Sequence, residues 1–258
     1  MGKLGFSFQL QLAFSQPVTR HAFALRCLPQ SGSRQQVLSA SLRVLPDCGI
    51  TYSEDAFGLR QSGTVLQPHA GFSAQAEGVV EVRPEAEEAA PPDWQLGPYR
   101  MATPLTAAGP ALRPLAEPLP HEDAAEAVMT LLAERFTYRP GSTHAATTAE
   151  EAARLMTGVC QDEAHIMLAL LREKRIPCRY VMGYMLGEGA THAWVEVARG
   201  GLWLGFDPTN RRMVNDEYIR VATGRDANDC PVNRGVFIGT ASQASQSCLS
   251  VWRAENGS

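Results

Sequence analysis

The sequence predicts an α+β fold, with a small β-rich domain ahead of a domain that opens with helices and closes with strands. Three observations carry this. Residues 4–83 alternate apolar and polar side chains with a period of two, the strand signature. Residues 84–120 hold nine prolines, which lack a donor and restrict the residue before them. From His121 the apolar spacing becomes helical, and after Pro177 it returns to period two. The resulting boundaries are 1–85 for the β-rich domain, 86–120 for a proline-rich linker with ordered contacts, and 121–258 for the second domain.

In chain order, Phe6, Phe8, Leu10, Leu12 and Phe14 predict a first strand, and beyond Pro17 a second passes through Phe23 and Leu25. Cys27 continues that alternation and reads as a packed thiol. Leu38, Ala40, Leu42 and Val44 predict a strand with one buried face. Pro46, Asp47 and Gly49 mark a turn, and Val65, Phe72, Ala74, Ala76, Val80 and Val82 predict further short strands. Trp94, Tyr99 and Leu105 are the residues able to pin the proline-rich segment to a surface.

In the second domain, Ala124, Val128, Leu131 and Leu132 share one helical face, with Glu122 and Asp123 at its positive end. Thr148 and Glu151 have capping-box spacing for a short helix through Leu155. The organising stretch is Thr157–Tyr184, TGVCQDEAHIMLALLREKRIPCRYVMGY. Ala164, Met167, Leu168 and Leu171 predict a buried helix that Pro177 ends, and Tyr180, Met182 and Tyr184 predict a strand. His192, Trp194 and Glu196 alternate in the next strand. Gly200 and Gly201 form a hairpin turn, and Leu202, Leu204 and Phe206 lead to Asp207.

Composition narrows the function. Net charge is −4 with no long basic run, which argues against nucleic acid as a partner. No apolar stretch is long enough to span a membrane, and the N-terminus has no continuous apolar core of a signal peptide. The six cysteines have no metal-knuckle spacing, no HExxH occurs, and the glycines of GYMLGEGATH do not match a phosphate loop. The expectation is a cytoplasmic protein without a metal.

Cys160 stands at the first turn of the central helix, where unpartnered backbone N–H groups favour a thiolate. With His192 and Asp207 on neighbouring strands, it composes the residue set of covalent acyl transfer at an amide. The cysteine is the nucleophile, the histidine the proton carrier and the aspartate the orienting group. The Cys160 N–H is the first candidate donor to the oxyanion, with Tyr138 and Gln161 as weaker ones. Each residue also has a structural reading: a packed thiol, a hydrogen-bonded core histidine, an aspartate that starts a turn. Cys178 is a poorer nucleophile because it enters a buried strand, and His165 lies off the Cys160 face of the helix.

The stretch GVCQDEAHIMLALLREKRIPCRYVMGY, with THAWVEV and GFDPTN, resembles the nucleophile, histidine and aspartate segments of bacterial transglutaminase-like proteins, a family associated with cysteine proteases. FSQPVTRHAFALRCLPQ and the EDAFG segment resemble the β-rich N-terminal region that accompanies this core. The resemblance implies a papain-like core, catalytic roles for Cys160, His192 and Asp207, no cofactor, and a peptide or protein amide as substrate. It further implies that Arg225, Asp226, Asp229 and Gly235 shape the rim of the site. Glu163 departs from the family pattern, which often has an aromatic residue there. The favoured outcome is hydrolysis of a peptide or isopeptide-like amide through a thioester. The alternatives are protein-glutamine gamma-glutamyl transfer, which cross-links, and a non-enzymatic peptide-binding domain. Oligomeric state is left open.

Overall fold

A computed structural model describes residues 2–255. The N-terminal strands are β1 (Gly2–Leu25), β2 (Gln35–Leu45), β3 (Ile50–Asp55), β4 (Gly58–Val65) and β5 (His69–Val82). Two single-turn helices, α1 (Gly97–Arg100) and α2 (Arg113–Ala116), precede α3 (Ala124–Arg135). There follow β6 (Thr137–Tyr138), α4 (Ala149–Leu155), β7 (Thr157–Gly158) and α5 (Cys160–Glu173). The chain closes with β8 (Cys178–Met185), β9 (Gly187–Gly189), β10 (His192–Arg199), β11 (Leu202–Asp207), β12 (Arg212–Met213), β13 (Tyr218–Gly224), β14 (Asn233–Ile238) and β15 (Gln243–Arg253). The architecture is α+β, with an eight-stranded N-terminal sheet and a five-stranded antiparallel sheet ordered β12-β11-β10-β8-β13.

The first two predicted strands are one. β1 runs through Pro17, but its ladder to β5 is interrupted between Ala13 and Val18, where proline cannot donate. Before the break β1 lies between β5 and β15, and after it between β4 and β14. Phe6, Phe8, Leu10, Leu12 and Phe14 are all buried, as the alternation predicts. β2 differs from expectation: Val44 is buried, but Leu38 and Ala40 are exposed. A register shift between Val37 and Ser39 changes the phase of the strand, and β2 is an edge of the sheet.

The C-terminal strands return to the N-terminal sheet. β15 pairs with β1 from Leu4 to Phe14, and β14 pairs with its other half. Residues 233–253, which the sequence reading groups with the second domain, therefore complete the first sheet. Tyr184 of β8 joins the two layers: its ring stacks on Phe8 at 5.9 Å and its hydroxyl donates to the Cys27 carbonyl at 2.7 Å.

The proline-rich segment is packed against the core through Leu96, Leu105, Leu112, Ala116 and Leu119. Tyr99 meets Trp203 edge-on at 5.3 Å, whereas Trp94 is exposed. Helix α5 is buried from Asp162 to Arg172, enclosed by β8 and β10 and by α2, α3 and α4. Only small or apolar side chains over most of its surface allow that placement.

Gly183 is required where β8 passes between β10 and β13. A Cβ there would lie 2.2 Å from the Ile219 carbonyl oxygen and 2.5 Å from the Trp194 ring. Gly183 also pairs directly with His192. Gly183→Ala should therefore destabilise the protein by about 3 kcal/mol, the cost of overpacking a core that cannot yield, and urea unfolding measures it. An unchanged midpoint would contradict this.

Candidate active site

The N-terminus of α5 is built by side chains on its own first turn. The Asp162 carboxylate accepts the Val159 N–H at 2.8 Å and the Thr143 hydroxyl at 2.7 Å. Gly158 leaves room for that carboxylate, since a Cβ would lie 2.4 Å from it. This fixes Cys160 as the first helical residue, half-buried and a free thiol. Upstream, Thr148 and Glu151 form the predicted capping box: the Thr148 hydroxyl accepts the Glu151 N–H and Glu151 accepts the Thr148 N–H.

The hairpin at Gly200 and Gly201, both with positive φ, folds β11 back on β10. It brings Asp207, at the end of β11, beside His192, at the start of β10. The His192 Nε2 lies 2.7 Å from Asp207 Oδ2. The same imidazole is near enough to Cys160 for the sulfur to act on its pKa. Burial alone would lower the His192 pKa. The hydrogen bond and charge of Asp207, together with the nearby Cys160 sulfur, instead raise it to about 10.

Asp207 is fully buried and receives four more hydrogen bonds. The Tyr218 hydroxyl and the Asn210 side-chain amide each donate at 2.7 Å, and the Thr209 and Asn210 backbone N–H groups at 3.0 and 3.1 Å. Burial would raise its carboxyl, but the donors, His192 first, hold it below the usual carboxylate range. Sequence reasoning named none of these partners. Asn210 had a local signal, since Asp-Pro-Thr-Asn is a turn whose first carboxylate can gather the following N–H groups. Tyr218 had none, because it arrives from β13, on the far side of β8.

The other candidates fall elsewhere. His165 is fully buried, accepts the Ala227 N–H at 3.2 Å, and is lowered to about 4 by burial. Burial pushes the thiols of Cys178 and Cys27 up to about 11 and about 12. Gln161 donates to the Ala145 carbonyl at 3.2 Å. Tyr138 is exposed, and its phenol, raised by burial, also feels the charge of Cys160. The four residues expected at the rim have these surroundings. Arg225 and Asp229 pair at 2.9 Å, Asp226 packs near His165, and Gly235 pairs with Phe23 in the N-terminal sheet. Among the described residues no group of three or more histidine, cysteine, aspartate or glutamate side chains is set to hold a metal ion, and no helix is long and apolar enough to cross a membrane.

A cleft of about 640 Å³ lined by Arg100, His121, Arg175 and Arg199 lies at the other end of β10. Arg199 is seven residues past His192, about 23 Å along an extended strand, so this cleft is separate from the thiol.

Known proteins resemble this chain in sequence pattern and in fold. The Transglutaminase-like superfamily pattern matches residues 111–208, and that of the Bacterial transglutaminase-like N-terminal region matches residues 6–81. An uncharacterised protein of Mycobacterium tuberculosis is 32% identical, over 81% of this chain and 79% of its own. One of Mycobacterium leprae is 28% identical, over 88% and 90%. A solved structure described as a candidate cysteine protease from Cytophaga hutchinsonii superposes with a TM-score of 0.79 at 23% identity, covering 100% of this chain and 93% of that one. The last likeness establishes the fold. With both matched regions present in order and a relative aligned over most of both chains, the chain belongs to the bacterial transglutaminase-like family, whose papain-like core serves cysteine-dependent enzymes of amide chemistry.

Proposed function

We propose that the protein cleaves an amide bond in a peptide or protein through a Cys160 thioester, with His192 as proton carrier and Asp207 as its orienting partner. The observation that carries this reading is the buried His192–Asp207 pair at 2.7 Å, with the thiol of Cys160 near enough to act on the imidazole. An imidazolium opposite the sulfur favours the thiolate. The thiolate attacks the carbonyl carbon, and the C–N bond breaks as His192 gives its proton to the leaving amine. The Cys160 backbone N–H at the helix start supplies the oxyanion donor in this reading. The thioester is then attacked by water, whose proton returns to His192, and the carboxylic acid leaves with Cys160 regenerated. Water is favoured over an amine because Cys160 is half-buried and remains accessible to solvent.

The test is intact-mass labelling by a mild thiol electrophile across pH. Wild type should add one label rapidly at Cys160, and His192→Ala should slow that addition about 100-fold, the scale of a lost proton partner. Cys248 is exposed and Cys48 partly so, so Cys160→Ala identifies their slower background. Labelling that is unchanged by either substitution overturns the assignment.

A further inference from the structure

The thiol site contains a second buried carboxylate that the proposed chemistry does not use. Glu163 lies one helical turn after Cys160, on nearly the same face of α5. It is almost fully buried. Its Oε2 accepts the Thr209 hydroxyl at 2.7 Å. The Thr209 backbone N–H in turn donates to Asp207 at 3.0 Å. One residue thus holds both carboxylates, one from the helix that carries the thiol and one from the turn that orients the imidazole.

The charged groups facing Glu163 come from several elements. Asp207 and His192 approach from β11 and β10, Arg211 from the segment after the turn, and Tyr138 from β6. Packing does not explain an acid here, since a buried carboxylate beside another is costly. Costly titratable groups gather where chemistry needs them.

We propose that Glu163 is a positioning residue of the thiol site: through Thr209 it ties the turn that carries Asp207 to the helix that carries Cys160, and its negative charge helps hold His192 as an imidazolium. This rests on the thiol reading above. Burial raises the Glu163 carboxyl, the Thr209 hydrogen bond lowers it, and Asp207 raises it further, to about 6 in all. The residue is therefore charged above that pH and neutral below it. His192 loses its own proton only near 10, so it reports its neighbour's titration without itself changing charge.

The experiment follows the imidazole nitrogen shifts of His192 by NMR from pH 5 to pH 8, assigned by their loss in His192→Ala. Cys160 alkylation is followed in parallel by intact mass. Wild type should show an inflection in the His192 shifts near pH 6. Glu163→Gln keeps an acceptor for Thr209 but removes the charge. It should abolish the inflection, while Cys160 alkylation at pH 7.5, where His192 stays protonated in both proteins, continues and shows that the thiol site is intact. Thr209→Val should move the inflection upward by removing a donor to the carboxylate, and Thr209→Ser should restore it. Melting temperatures by circular dichroism confirm that each variant is folded. Rapid wild-type labelling, with the His192 inflection unaltered in Glu163→Gln, overturns this role alone. Slow wild-type labelling of Cys160 overturns the thiol reading and this role with it.

Discussion

Asp207→Asn should lower thiol-dependent turnover about 10⁴-fold, the scale on which a histidine without its carboxylate fails in such triads, while the chain stays folded. Asparagine fills the same space. It carries no charge, however, and presents an amide donor where five donors now converge: His192, Tyr218, the Asn210 side chain and the backbone N–H groups of Thr209 and Asn210. The imidazolium loses its counter-charge, so the His192 pKa should fall from about 10 toward its ordinary value. Stability follows with a definite sign. A histidine whose folded pKa is raised contributes stability that is complete below the unfolded value of 6.5 and is lost as pH rises through about 10. Urea midpoints of the wild type should therefore fall between pH 6.5 and pH 10 more steeply than those of Asp207→Asn. Parallel pH dependence in the two proteins would contradict the coupling of His192 to Asp207. Labelling of Cys160 by a thiol electrophile reads the chemical effect on the same samples.

A chain ended after Ser242 should lose its cooperative fold. Such a chain lacks β15, which pairs with β1 along eleven consecutive positions from Leu4 to Phe14 and with β9 on its other side. Leu249 and Val251 are buried, and removing them alone forfeits about 1.5–3 kcal/mol each. Those losses consume much of a typical domain stability of about 5–15 kcal/mol before the ladder is counted. The uncovered edge of β1 is long and apolar on one face, which invites pairing with other chains. Circular dichroism melting and size-exclusion chromatography should show no sharp transition and a shift to larger species. A truncated chain that melts like the whole protein would show that β15 is dispensable to the first sheet.

Local periodicity determined a large part of this protein. The burial of α5, the Thr148–Glu151 cap, and the strands of His192 and Asp207 are all written in neighbouring residues. The His192–Asp207 pair was legible for the same reason, since a two-glycine turn folds adjacent strands together. Contacts between elements distant in sequence leave no such period. Tyr218 reaches Asp207 only because β8 and β13 pair out of chain order. Residues 233–253 return to the first sheet because β1 offers two open edges, a fact written nowhere near them. The outward Leu38 and Ala40 follow from a register shift against β5, which alternation within β2 could not reveal. In the sequence Glu163 stood out only as a departure from the pattern of the family that the chain resembles. Its place between Thr209, Asp207 and His192 was decided only when the helix and the hairpin packed together. A side chain's own period sets which way it faces, and only the packing of separate elements sets what it meets there.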